Sequence, residues 1–213
     1  MTAALPRIVV DARPLTHPQP GGFRTYVRAL LRGLQERGTN DVDLLLYIDR
    51  EPTDADRAFL PPHATVRLLS PARLRTDLHL FRQAVRQDRP DLVHGTMNYL
   101  PSLPHTIPVT VTIHDALGIR PQPWDHATPR TPRERFIHGY WAHQTARTAA
   151  LARRIITDSH SAAAELAAAL RLPRERFAVV SPGVVSSPPP APFGGALSVG
   201  TSVPRDFVVP AVA

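Results

Sequence analysis

The chain has 213 residues, 43% hydrophobic and 6% aromatic, enough apolar material for one sizeable core plus an appendage, and it fits a compact α/β domain better than an all-β sandwich. Its net charge is +7 and all 25 basic residues are arginine, a bias that reads as a GC-rich gene; no basic run alternates with aromatics and no zinc-finger or RNA-binding signature occurs, so nucleic acid is not an expected partner. Cysteine is absent, which removes disulfides and thiolate metal sites. Neither a signal peptide nor a run of about 20 apolar residues is found, so a cytoplasmic protein is expected, with peripheral contact at the inner face of a membrane left open.

Ile8-Val9-Val10 is the short apolar run of a buried parallel strand. A loop through Pro18-Gln19-Pro20-Gly21-Gly22 comes next, and Tyr26, Val27, Leu30, Leu31 and Leu34 then recur at helical spacing, with Gly38 placed as a C-cap. Val42 to Ile48 and Thr65 to Leu69 read as the next strands. From Pro71 to Gln87, Leu74, Leu78, Phe81 and Val85 mark one helical face, expected to cover the sheet. Leu92-Val93 and Val109 to Ile113 are further strands, Thr131 to Ala152 a long helix and Arg154 to Thr157 a strand. Ser161 can cap a helix running to Leu170, and Phe177 to Val180 is the last strand of the series. Strands alternating with helical patterns predict βαβ units in an open, mostly parallel, Rossmann-like sheet flanked by helices. Residues 1–185 form the expected domain. Residues 186–213, rich in Pro, Ser and Gly, read as a linker and the stub of a second domain.

Ligands of open parallel sheets bind outside the carboxyl ends of the strands. The residues just past each expected strand are therefore informative: Asp11 and then Gly21-Gly22; His94, Gly95, Thr96, Asn98 and Tyr99; His114 and Asp115; Asp158 and Ser159. Gly21-Gly22 precedes a helix N-terminus, where free N–H groups and the positive dipole end favour a phosphate, although for an isolated glycine pair a loop needing positive φ is the plainer and preferred explanation. His114 can orient a substrate hydroxyl, against the plainer reading of a histidine satisfied by backbone partners. The triplets Asp41-Val42-Asp43 and Asp54-Ala55-Asp56 read as surface acids, and neither they nor the histidines form a metal-binding pattern, so no metal is expected. The dinucleotide and Walker glycine signatures and a G-x-S-x-G elbow are all missing, which sets an oxidoreductase or a serine hydrolase aside.

Taken in order, Ile8-Val9-Val10-Asp11-Ala12-Arg13, Gly21 to Tyr26, Pro90-Asp91-Leu92-Val93-His94, Val109 to Asp115, Arg153 to Ser159 and Phe177 to Val184 resemble the N-terminal half of the family 4 glycosyltransferases, the large retaining GT-B group. The resemblance implies transfer of a sugar, with retention, from a nucleotide-diphosphate sugar to a glycan or lipid-linked acceptor such as a cell-envelope polysaccharide, with no cofactor beyond that donor. It implies that the Gly21-Gly22 loop approaches the donor diphosphate, that His114 holds a hydroxyl of the transferred sugar, and that Asn98, Tyr99, Asp115 and Ser159 lie on the acceptor side. The E-x7-E motif of the family's nucleotide-binding domain does not occur after Val184, and Val185 stands where the family often has Asp. The expectation is an isolated chain without transferase activity; the alternative is a binding module or a degenerate fragment retaining only the fold.

Overall fold

The computed structural model describes residues 4–19, 21–104, 106–120 and 131–183. Seven strands form one sheet: β1 (Arg7–Asp11), β2 (Asp43–Ile48), β3 (Thr65–Leu68), β4 (Leu92–Gly95), β5 (Val109–Thr112), β6 (Arg154–Thr157) and β7 (Phe177–Val179). All neighbours pair parallel, in the order β3-β2-β1-β4-β5-β6-β7. The sheet is thus the Rossmann-like one expected. Its order reverses between β1 and β4, and that switch produces a crevice at their carboxyl ends. The compact unit runs from Met1 to Pro182 and the remainder from Gly183 to Ala213; the linker and stub read at 186–213 lie outside the described residues.

Alternation along β1 and β2 divides the core. Val9, Leu45 and Tyr47 join one cluster with Phe81, Val85, Ala149, Ile155 and Leu166. Val10, Leu44, Leu46 and Ile48 join a second with Val27 and Leu31. Side chains two apart share a face, so helix α1 (Gly22–Arg37) covers one side of the sheet, while α4 (Phe81–Asp88), α5 (Pro132–Leu151) and α6 (His160–Leu170) supply the other. Two short helices, α2 (Asp54–Arg57) and α3 (Arg73–Arg75), fall between β2 and α4.

Two expectations are corrected. The helix expected from Pro71 to Gln87 is interrupted by a π-helical turn, Thr76–Leu80, between α3 and α4. One extra residue in a turn rotates the helix before it by about 100° relative to the helix after it. Leu74 and Leu78 are therefore turned out, 59% and 44% exposed, while Asp77 joins Phe81 and Val85 on the inward face. The second correction is the cap of α6. Ser159, not Ser161, takes the position, its Oγ accepting the Ala162 N–H at 3.1 Å.

The α1 side of β4 and β5 carries a polar ladder. His94 pairs in register with Thr110; its Nδ1 lies 2.9 Å from the Thr110 hydroxyl and its Nε2 3.4 Å from that of Thr112, which is 2.7 Å from the Tyr26 hydroxyl. Burial lowers the His94 pKa from 6.5 to about 4, so the folded chain keeps it neutral. An unfolded chain takes up that proton near pH 6.5. It binds more protons than the folded chain down to about pH 4, and stability falls as pH falls through this window. Urea unfolding midpoints should register a loss on the order of 2–3 kcal/mol between neutral pH and pH 4 from this residue. His94→Gln should flatten that component; an unchanged pH profile would show that His94 is not its source.

Candidate functional site

At the carboxyl end of β1 the chain meets an enclosed ion triad. Arg13 is 4% exposed, Asp11 0% and Asp77 1%. The Arg13 guanidinium donates to both oxygens of Asp11 at 2.8 Å and, through Nη1, to Asp77 Oδ1 at 2.7 Å. Burial alone weakens the charge of an arginine; the paired carboxylates overcome it and hold Arg13 more firmly protonated than usual. Asp77 Oδ2 also accepts from the hydroxyls of Tyr99, at 2.9 Å, and Tyr140, at 3.3 Å. Arg73 donates through Nε and Nη2 to the Tyr99 oxygen and stacks on Trp141, 5.4 Å from its ring centroid. Burial, then Asp77, raises the Tyr99 pKa, so its phenol stays a donor. The β1 end, the π-helical turn, the β4–β5 loop and α5 are thereby tied to one point.

This wall bounds a cavity of about 320 Å3, large enough for a small sugar. Its other sides come from Gly21, Phe23 and Arg24 at the start of α1, from Asp49 and Arg50 beyond β2, and from Met97 and Asn98. No side chain caps the first turn of α1, and its first bonded amide outside the helix pattern is that of Thr25, to Gly21 O at 3.1 Å. Among the described residues, no acceptor meets the N–H groups of Gly22, Phe23 and Arg24 in this opening turn.

The structure removes the turn explanation for the glycine pair. Gly21 sits at φ 179°, an extended conformation open to any residue, and Gly22 is the first helical residue. A Cβ at either would meet no atom within 4 Å. Nothing in the described protein therefore requires glycine there. Gly95, by contrast, is required by packing, since its Cβ would come 2.7 Å from Leu100 Cγ.

His114 lies two residues past the end of β5 and stands beside this loop. Its ring centroid is 5.4 Å from that of Phe23 and 4.7 Å, edge-on, from that of Tyr26, both on the first turns of α1. Its backbone N–H is held by Asn98 Oδ1 at 2.9 Å, and its Nδ1 lies 2.8 Å from Asp158 Oδ2. Asn98 takes the left-handed conformation, φ 63°, to make that contact, a geometry asparagine tolerates better than most residues. The rim thus brings together Gly21, Gly22, Asn98, His114 and Asp158. The other expected residues have other occupations. The Tyr99 hydroxyl belongs to the ion triad, Asp115 accepts the Leu117 N–H at 3.0 Å without lining the cavity, and Ser159 caps α6. Asp56 is not a surface acid either. It is 2% exposed, bonds Arg24 and Arg28 at 2.9 and 3.0 Å, and is held at a pKa of about 2 by those arginines and Thr53 against its burial.

Sequence reasoning set Asp158 at the rim without giving it a role, and passed over the triad and the Arg73–Trp141 pair. Asp158 was legible as the neighbour of a capping serine, since the cap fixes which adjacent side chain faces the rim. Arg13 and Asp77 are 64 residues apart and meet only through the π-helical turn, for which the sequence carries no signal.

A parallel seven-stranded sheet with a polar rim at its switch point is a Rossmann-like domain. Residues 20–187 match the model of Glycosyltransferase Family 4, and the chain belongs to that family. The expectation of an N-terminal GT-B domain is borne out. Among solved structures, the chain is similar to Anabaena Alr3699/HepE in complex with UDP and glucose, at 14% identity and a TM-score of 0.47 over 85% of this chain and 45% of that one. It is also similar to Glycyrrhiza uralensis UGT73P12 complexed with glycyrrhetinic acid 3-O-monoglucuronide, at 10% identity and 0.45 over 84% and 49%. The chain spans less than half the length of both. No curated protein matches the sequence.

Removal of the Asp77 carboxylate leaves Arg13 with one counter-charge, and the buried Tyr99 and half-buried Tyr140 phenols without that acceptor. Asp77→Ala should cost about 3–5 kcal/mol of unfolding free energy in urea titrations; a loss below about 1 kcal/mol would mean that the triad is not what holds the cavity wall.

Proposed function

We propose that this domain forms the acceptor-side wall of a sugar-transfer site. A nucleotide-diphosphate sugar would approach with its diphosphate at the start of α1, His114 would hold a hydroxyl of the transferred sugar, and the cavity behind Phe23 would receive the acceptor hydroxyl. The observation that carries this reading is the juxtaposition of His114 with the Gly21-Gly22 turn, reported by the 5.4 Å Phe23–His114 contact. The open space around both glycines supports it further, because close approach of a ligand is what a glycine pair without backbone or packing need allows. Catalysis on this wall would consist of positioning and of stabilising the departing diphosphate by backbone N–H groups and the helix dipole. Retention of configuration is proposed from the family resemblance. The same resemblance places the rest of the diphosphate and nucleotide contacts on a second half, so the 213-residue chain alone is proposed to transfer no sugar.

A lipid-linked acceptor is favoured over a soluble glycan by the surface beside the cavity. Leu74 and Leu78 lie just beyond Arg73, and Phe136, 70% exposed, lies one helical turn before Tyr140, which bonds Asp77. Exposed Arg75, Arg133 and Arg135 accompany them. Exposed apolar side chains accompanied by arginines suit the headgroup region of an anionic bilayer. Among the described residues no helix is long and apolar enough to cross one.

In an enzyme carrying both halves, His114→Ala should lower kcat by roughly 10- to 100-fold with a smaller change in acceptor KM. Gly22→Ala should leave the unfolding midpoint unchanged or slightly raised while weakening donor binding; unchanged kinetics in both variants would remove the proposed roles. For the lipid, the chain should float with vesicles containing an anionic phospholipid, and Leu74→Asp with Leu78→Asp should abolish that flotation. Equal recovery of the double variant would exclude these side chains as the contact.

A further inference from the structure

A neutral imidazole carries its single proton on one of two nitrogens, and the choice decides whether His114 offers a ligand a donor or an acceptor. Its Nδ1 lies 2.8 Å from Asp158 Oδ2. An ionised carboxylate has no proton to give, so the hydrogen in that contact belongs to Nδ1 and the carboxylate accepts it. Nε2 is left with a bare lone pair, sealed from solvent and, among the described residues, without a hydrogen-bond partner. The ring has little freedom to exchange its nitrogens. Asn98 fixes the backbone N–H, and the edge-on ring of Tyr26 is anchored by its hydroxyl to Thr112 at 2.7 Å. Asp158 is itself fixed, between Thr157, wholly buried at the end of β6, and Ser159, the cap of α6.

We propose that Asp158 is a positioning residue that locks His114 as the Nδ1–H tautomer, so that Nε2 accepts a hydrogen bond from a hydroxyl of the bound sugar. The site then discriminates by proton direction: it takes a ligand with a hydroxyl donor at that point and disfavours one with a methyl ether or hydrogen there. Phe23, whose ring lies against the imidazole, is the more easily displaced of the two aromatic neighbours. It is 40% exposed and comes right after the unencumbered glycine pair, whereas Tyr26 is tethered. The assignment of the hydroxyl to a sugar rests on the sugar-transfer reading; the tautomer does not.

The test separates the two. In nitrogen-15 NMR spectra of the isolated chain at alkaline pH, where imidazoles are neutral, His114 should show Nδ1 protonated and Nε2 bare. A charge-assisted hydrogen bond should hold that ratio at roughly tenfold or more, and Asp158→Ala should shift it by that factor toward Nε2–H. Should Asp158→Ala fail to fold, Asp158→Asn preserves the shape and should still move the ratio toward Nε2–H, because its amide can donate as well as accept. Nε2–H in the wild-type chain, or an unmoved ratio in whichever variant folds, overturns the proposal. In an enzyme carrying both halves, Asp158→Ala should lower kcat roughly tenfold with the donor KM little changed, and a donor lacking the facing hydroxyl should be insensitive to the substitution. Equal sensitivity of both donors overturns the discrimination. Sugar transfer itself stands or falls by the His114→Ala kinetics.

Discussion

A guanidinium enclosed between two carboxylates sets the shape of everything on the carboxyl side of this sheet. Asp11 ends β1, Asp77 lies in the π-helical turn, and Arg13 joins them with almost no access to water. A buried charge that loses one counter-ion is among the costliest defects in a protein interior, so the three elements are held to one arrangement. Through Tyr99, Tyr140 and Arg73 the constraint reaches the β4–β5 loop and α5. The same loop carries Asn98, whose side chain fixes the backbone of His114. Cavity wall and imidazole are thus positioned by one connected network.

On the α1 side the logic is different. There the strands present His94, Thr110 and Thr112 to Tyr26, an uncharged ladder in which burial keeps the histidine neutral. Uncharged groups in this place let Tyr26 grip the His114 ring without competing with Asp158 for its proton. Charge is concentrated in the triad and at Asp158, while the groups that hold the other side of the His114 ring carry none.

Much of this was legible before any coordinates. Continuous apolar runs separated by helical periodicity identified the seven strands within a residue or two, because both faces of a parallel sheet are buried and leave that pattern. The convergence of Gly21, Gly22, Asn98 and His114 came from topology alone, since strand ends in such a sheet share one edge. The features that sequence missed depended on distant partners or on a change of local period. Leu74, Leu78, Phe81 and Val85 fit an α-helical face perfectly well, and only the inserted π turn places Asp77 among them. Both Ser159 and Ser161 are competent caps. Choosing between them requires knowing where β6 ends, and with it which acid, Asp158, faces the imidazole.

The π turn makes this stretch sensitive to length more than to composition. Excising one codon between Thr76 and Leu80 would restore a regular helix, rotating Leu74 and Leu78 inward and swinging the Asp77 carboxylate away from Arg13. Such a deletion would alter no hydrophobic residue of the core, yet it would swap a hydrophobic rim for an acidic one and leave a cation stranded in the wall. Drift in this segment is therefore free to substitute its exposed positions but not to shorten it.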